Sequence, residues 1–205
     1  MDVAFMSPMD RWKYFDITHR DHVVCNPMSL AKIDEMVGLL DLSPGARILD
    51  VACGKAELLV RVAERWSIRG VGVDLSPYVV REAREKAAAR GLSGRLTFVE
   101  SDGAAWDPGP DPYDLAMCVG ASWVFGGHAG TLRALRDRTR PGGQVLVGEP
   151  FWRREPPQEY LEAADENPAN YASHALNASA GECRRGSGAQ APLHTRVERR
   201  RLGPV

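Results

Sequence analysis

Apolar positions along the central part of the chain switch repeatedly between two periods. Leu30, Ile33, Val37 and Leu40 recur at helical spacing behind Ser29, a capping residue, so a helix is expected over 29–40. Ser43-Pro44-Gly45 breaks it, and residues 48–52 form a short apolar run of strand type. Leu59, Val62, Ala63 and Trp66 share one face of a helix over 56–66. A second strand follows at 68–74. Ser76-Pro77 then places a cap before a proline at the first helical position, and that helix ends at Arg90 before Gly91. Strands are expected again at 96–100, 113–120 and 144–149. A turn-rich loop over 107–112, a helix near 130–138 and a Pro141-Gly142-Gly143 turn lie between them.

Strands alternating with helices indicate βαβ units and a parallel sheet. Leu115-Ala116-Met117-Cys118-Val119 is apolar on both sides, as a strand covered on both faces requires. Right-handed crossovers then give a Rossmann-like, doubly wound α/β sheet, mostly parallel, in the order 3-2-1-4-5. Its switch point lies between the first and fourth strands, and ligands bind beyond the carboxyl ends of strands at such a point.

Three carboxylates fall there. Asp50 is near the end of the first strand, Asp74 ends the second, and Asp102 follows the third. The loop Asp50-Val51-Ala52-Cys53-Gly54-Lys55-Ala56-Glu57 has a small residue at every second position, which permits close approach of a ligand. Asp74 is placed to accept from two ribose hydroxyls, and Asp102 from an adenine amino group. A carboxylate at position 50 would repel the phosphates of NAD or ATP. It suits a phosphate-free nucleoside that carries a sulfonium and an amine.

The motifs Ile48-Leu49-Asp50-Val51-Ala52-Cys53-Gly54, Gly72-Val73-Asp74-Leu75-Ser76, Glu100-Ser101-Asp102-Gly103 and Arg140-Pro141-Gly142-Gly143 resemble those of class I S-adenosylmethionine (SAM)-dependent methyltransferases. The resemblance covers roughly 11–180 and implies SAM as cofactor. It places Asp50, Ala52, Cys53 and Gly54 around the methionine part. Asp74 and Leu75 fall at ribose and adenine, Asp102 and Gly103 at adenine, and Val119 at the amino-acid end. The family has glycine where this chain has Ala52 and Ala56, so weaker binding or a shifted loop is expected. A narrower resemblance, to a little-characterised bacterial group of small-molecule methyltransferases, rests on Arg20-Asp21-His22, Asn26-Pro27, Gly120-Ala121-Ser122-Trp123 and Gly148-Glu149-Pro150-Phe151-Trp152.

Outside the cofactor motifs, each candidate has two readings. His22 and His128 are of the right type for a general base or for a structural hydrogen bond; His22 ranks first, because the N-terminal segment often covers substrate in this superfamily. Glu149, at the end of the fifth strand, contacts substrate or caps the next loop. Trp123 and Phe125 wall an apolar acceptor pocket or pack in the core. Lys55 is a solvated loop charge or a partner of the SAM carboxylate. Cys53 and Cys118 read as buried thiols before a redox pair, and no zinc spacing is present.

Composition narrows the classes. A formal net charge of −1 over 205 residues gives no field for nucleic acid or anionic membrane. There is no apolar run of bilayer length and no secretion signal, so a cytoplasmic protein is expected. Four segments follow: a cap over 1–28, the SAM-binding core over 29–152, a helical substrate-side segment over 153–180, and an irregular tail over 181–205. The tail holds six arginines, four glycines and two prolines without periodicity. It reads as a disordered basic tail or as a frameshifted end, and the antiparallel strand pair that usually closes this sheet is expected to be missing or degenerate. The reading is therefore SAM-dependent methyl transfer to a small molecule, with a degenerate SAM-binding protein as the alternative and a nicotinamide oxidoreductase disfavoured by Asp50.

Overall fold

A computed structural model describes residues 8–164 and 171–182. The tail reading and the question of a frameshift lie outside the described residues, apart from the last turn of the final helix. The chain divides into two units, Met1–Pro150 and Phe151–Val205.

The first unit is the expected doubly wound sheet. Its elements are α1 (Pro8–His19), α2 (Leu30–Leu39), β1 (Arg47–Val51), α3 (Glu57–Arg65), β2 (Arg69–Asp74), α4 (Pro77–Ala89), β3 (Leu96–Glu100), β4 (Tyr113–Val119), α5 (His128–Asp137) and β5 (Thr139–Gly148). A 3-10 turn, Ser122–Phe125, precedes α5. The strand order is β3-β2-β1-β4-β5, and every pairing is parallel.

Successive strand residues point to opposite layers. Ile48, Leu115 and Met117 join one buried cluster with Ile33 and Val37 of α2, Leu59 and Val62 of α3, and Val80 and Ala83 of α4. Leu49, Ala116 and Cys118 join the other, with Leu135 of α5. Both faces are covered, which explains why the strands read as continuous apolar runs. Ser29 caps α2 by accepting from the Lys32 N–H at 3.3 Å, and Pro77 opens α4.

Two elements depart from the sequence reading. β5 begins at Thr139, ahead of the expected turn. Tyr113 pairs with Thr139 and Leu115 with Gln144, so the Pro-Gly-Gly stretch is absorbed as an irregularity in the strand. Proline has no N–H for the ladder and is tolerated at such a position. The second difference is α1, a helix within the cap segment for which no element was assigned from the sequence. None of its described side chains is fully buried, so it carries no strong apolar stripe for a sequence pattern to detect.

In the second unit, α6 (Gln158–Ala164) and α7 (His174–Glu182) accompany a short parallel bridge between Trp152 and Ser173. The Trp152 ring packs edge-on against Tyr160 and Tyr171.

Candidate cofactor site

The ends of β1, β2 and β4 open onto one cavity. Its lining includes Asp50, Ala52, Cys53, Gly54, Asp74, Leu75, Asp102, Gly103, Val119 and Trp123. Every residue assigned to cofactor from the sequence is therefore brought together. The cavity holds about 1120 Å³ of space free of protein atoms, open solvent included.

The loop after β1 is a succession of left-handed residues: Ala52 at φ 55°, Gly54 at φ 53° and Ala56 at φ 56°. Glycine adopts this region freely, whereas alanine pays for its Cβ. Both alanines nevertheless adopt the left-handed conformation. Hydrogen bonds hold the loop there. The Cys53 N–H donates to the Val73 carbonyl at 3.1 Å, and the Ala56 N–H to the Cys53 carbonyl at 2.9 Å.

Asp74 organises this wall. Its Oδ2 accepts from the Gly54 N–H at 2.9 Å and its Oδ1 from the Ser76 N–H at 3.0 Å. The Leu75 N–H also donates to it, so of about four lone-pair sites on a carboxylate about one remains for a ribose hydroxyl. Asp102 accepts the Ala104 N–H through Oδ1 at 2.8 Å. Gly103 is required beside it, because a Cβ there would collide with Val51 Cγ1.

Asp50 is 3% exposed. Burial, and then the nearby charge of Asp74, push its carboxyl well above the usual range. Burial also raises Asp74, opposed by the N–H groups it accepts. A cationic ligand would relieve both. The donor set suits SAM: carboxylates for a ribose and an ammonium, small residues along the loop, and a loop whose one lysine, Lys55, is tied to the His19 and Arg20 carbonyls and to Glu82. Cys53 Sγ points toward Gly72, and burial followed by the Asp50 and Asp74 charges holds its thiol neutral. Burial, then Asp50 and Glu149, push Cys118 up to about 12. Both behave as neutral thiols.

The acceptor-side candidates do not all converge. Trp123 lines the cavity and is 72% exposed. Phe125 is outside the lining and packs against the α5-side core, with the Arg138 guanidinium over its ring at 5.2 Å. His22 is exposed and outside the lining, edge-on to His19 at 5.2 Å. Glu149 is also outside the lining, half-buried, with Oε2 enclosed by protein.

The sequence reading missed the facing wall. Trp12 and Phe15 of α1, with Val24, Cys25, Asn26 and Met28, complete the cavity. Asn26 Nδ2 donates to the Val119 carbonyl at 3.4 Å, and Asn26-Pro27 was the available signal. Lys55 is neither solvated nor turned to the cavity centre. It is 3% exposed, and its ammonium donates to the carbonyls of His19 at 2.8 Å and Arg20 at 3.1 Å.

Comparison with known proteins bears on this geometry. A methyltransferase domain family matches residues 48–143. A SAM-dependent methyltransferase from Geobacter sulfurreducens, crystallised with S-adenosylhomocysteine (SAH), is 33% identical with a TM-score of 0.76, over 82% of this chain and 70% of that one. The chain belongs to the class I SAM-dependent methyltransferase family. The Escherichia coli protein YjhP is 36% identical over 156 residues, 76% of this chain and 62% of its own length. The trans-aconitate 2-methyltransferase of Streptomyces avermitilis is 35% identical over 106 residues, 51% of this chain and 39% of its own. This family member thus spans less than two thirds of those two relatives. SAM is the family's cofactor, and the wall built from Asp50, Asp74 and Asp102 is where its residues fit that molecule.

Among the described residues, no group of three or more His, Cys, Asp or Glu is arranged for a metal ion. No described helix is long and apolar enough to cross a membrane.

Proposed function

We propose that this chain binds SAM along the β1–β2–β3 strand ends and transfers its methyl group to a small molecule lodged between that wall and α1. The observation that carries the reading is the convergence of Asp50, Asp74 and Asp102 on one cavity, around a loop held by the Gly54–Asp74 hydrogen bond. SAM supplies an electrophilic methyl carbon on a sulfonium; the acceptor's lone pair takes that carbon and the C–S electron pair stays with sulfur. The chain's contribution is to bind and orient the two partners, which supplies much of the rate gain in such displacements. No histidine lines the cavity among the described residues, so the reading uses no side-chain base.

The lining also supports an acceptor class. Four carboxylates belong to the lining, Asp50, Glu57, Asp74 and Asp102, with Glu57 paired to Arg61 and Lys86, while the Lys55 ammonium is committed to two carbonyls and to Glu82 at 2.9 Å. Among the described residues, a polycarboxylate such as trans-aconitate would meet no uncommitted cation there. Trp12, Phe15 and Trp123 instead favour an uncharged or cationic acceptor with a flat apolar portion. The left-handed Ala52 and Ala56 support an intact loop over the alternative of a degenerate SAM binder.

Calorimetry with SAM and SAH, followed by radiolabelled methyl transfer to metabolite pools sorted by charge, tests both levels. SAM binding with label in the neutral or cationic pools is expected. Label in the polyanionic pool refutes the acceptor class, binding without turnover in any pool favours the degenerate binder, and absence of binding refutes both.

A further inference from the structure

Lys55 has a side-chain exposure of 2%, and its ammonium has three partners: the His19 and Arg20 carbonyls and the Glu82 carboxylate. Three donors meet three acceptors, which is the full capacity of the group. Its partners at 19 and 20 are carbonyls at the C-terminal end of α1, where positive charge is favourable. Its own backbone N–H donates toward Cys25 Sγ. Lys86 adds a bond to the Val23 carbonyl at 3.4 Å.

α1 needs such anchoring. It has 12 residues, with Tyr14 60% and Ile17 53% exposed, and helices of this length are marginal unless packed. Lys55 also follows Gly54 directly, within the loop strained by Ala52 and Ala56. A ligand that fixes Gly54 therefore fixes the Cα from which the ammonium reaches α1.

We infer that Lys55 is a positioning residue that couples the cofactor loop to α1, so that filling the cofactor site orders the wall carrying Trp12 and Phe15. This rests on the cofactor reading above. The compact ammonium matters: the planar guanidinium of Lys55→Arg presents its donors in a fork and does not match the same three acceptors.

Hydrogen exchange of the full chain, with and without SAH, tests the coupling. In the wild type, SAH is expected to slow exchange at 50–57 and also at 12–22. In Lys55→Met, α1 is expected to exchange about tenfold faster without ligand; SAH still protects 50–57 but no longer changes 12–22. Slow exchange at 47–51 verifies that the sheet is folded. Glu82→Ala, which leaves the loop intact, is expected to give a smaller acceleration confined to α1, and it serves if the methionine variant does not fold. The inference is overturned if SAH leaves 12–22 unchanged in the wild type, if it protects 12–22 equally in Lys55→Met, or if both variants leave α1 as it was. Failure of SAH to bind the wild type refutes the cofactor reading instead, and the ligand-free arm still decides whether Lys55 holds α1.

Discussion

The cavity wall that carries Asp50, Asp74 and Asp102 hangs from three strands paired in unbroken register, Asp50 beside Gly72 and Asp74 beside Glu100. The facing wall hangs from α1 and the stretch to Met28, where no described side chain is fully buried. One wall is fixed by a core that includes Ile48, Leu49, Leu59 and Val73, all at 0% exposure. The other is held by hydrogen bonds from Lys55, Lys86 and Asn26 to main-chain carbonyls. The first kind of wall suits a cofactor of fixed shape. The second suits an acceptor that has to enter and leave, because segments with little buried apolar area open at low free-energy cost.

The largest effect expected is at Asp74. Asp74→Ala removes the acceptor of the Gly54 and Ser76 N–H groups and the proposed partner of the ribose. Hydrogen bonds to a charged group are worth about 1.5–3 kcal/mol, so SAM affinity should fall at least about 100-fold by calorimetry. A loss under about threefold would remove Asp74 from the cofactor wall. Trp12→Ala with Phe15→Ala should act on the opposite wall. SAH affinity is expected to stay within about threefold while methyl transfer drops about tenfold, the scale of lost aromatic contacts. If SAH affinity falls as far as in Asp74→Ala, the two walls are not separate.

The same contrast decided what could be read from the sequence. Strand order and the cofactor-side residues were legible because their signals are local: apolar runs, a carboxylate at each strand end, small residues in alternation. β5 was read late because Pro141-Gly142-Gly143 has turn chemistry, yet the strand accommodates it as an irregularity. The facing wall was not legible. Trp12 and Phe15 reach the cavity through contacts made far along the chain, such as Lys55 with His19, and α1 lacks the periodic burial that marks a helix. Phe125 and Trp123 are two residues apart, but only Trp123 lines the cavity. The 3-10 turn turns Phe125 toward the core, and no spacing rule in the sequence anticipated it.

A smaller effect sharpens the comparison by relieving the cofactor wall of strain. Left-handed alanine costs about 1–2 kcal/mol, partly offset by the greater chain entropy of glycine, about 0.5–1 kcal/mol. Ala52→Gly and Ala56→Gly should therefore each stabilise the fold by up to about 1 kcal/mol, raising Tm by about 2–4 °C. Thermal unfolding that shows no gain at either position would mean the neighbouring hydrogen bonds and packing already absorb the strain.

The smallest effect is a fraction of a proton, and it reports the charge of the cofactor wall directly. Burial and then Asp74 raise Asp50 above its ordinary value of 3.8, and burial raises Asp74 from the same value. Between that value and the raised one, the folded chain binds more protons than the unfolded chain. These two groups therefore lower stability as pH rises through the raised range. Asp114 works in the opposite sense: its partners Arg140 and the Arg47 N–H outweigh burial and hold it low, so its contribution is lost as pH falls. A sulfonium beside Asp50 favours the ionised carboxylate. SAM binding should then release protons, more than SAH binding does, and SAM affinity should rise with pH until Asp50 is fully ionised. Calorimetry in buffers of different ionisation enthalpy measures the release. Asp50→Asn is expected to remove most of it, and equal release in the variant would assign the charge coupling to Asp74 or Asp102 instead.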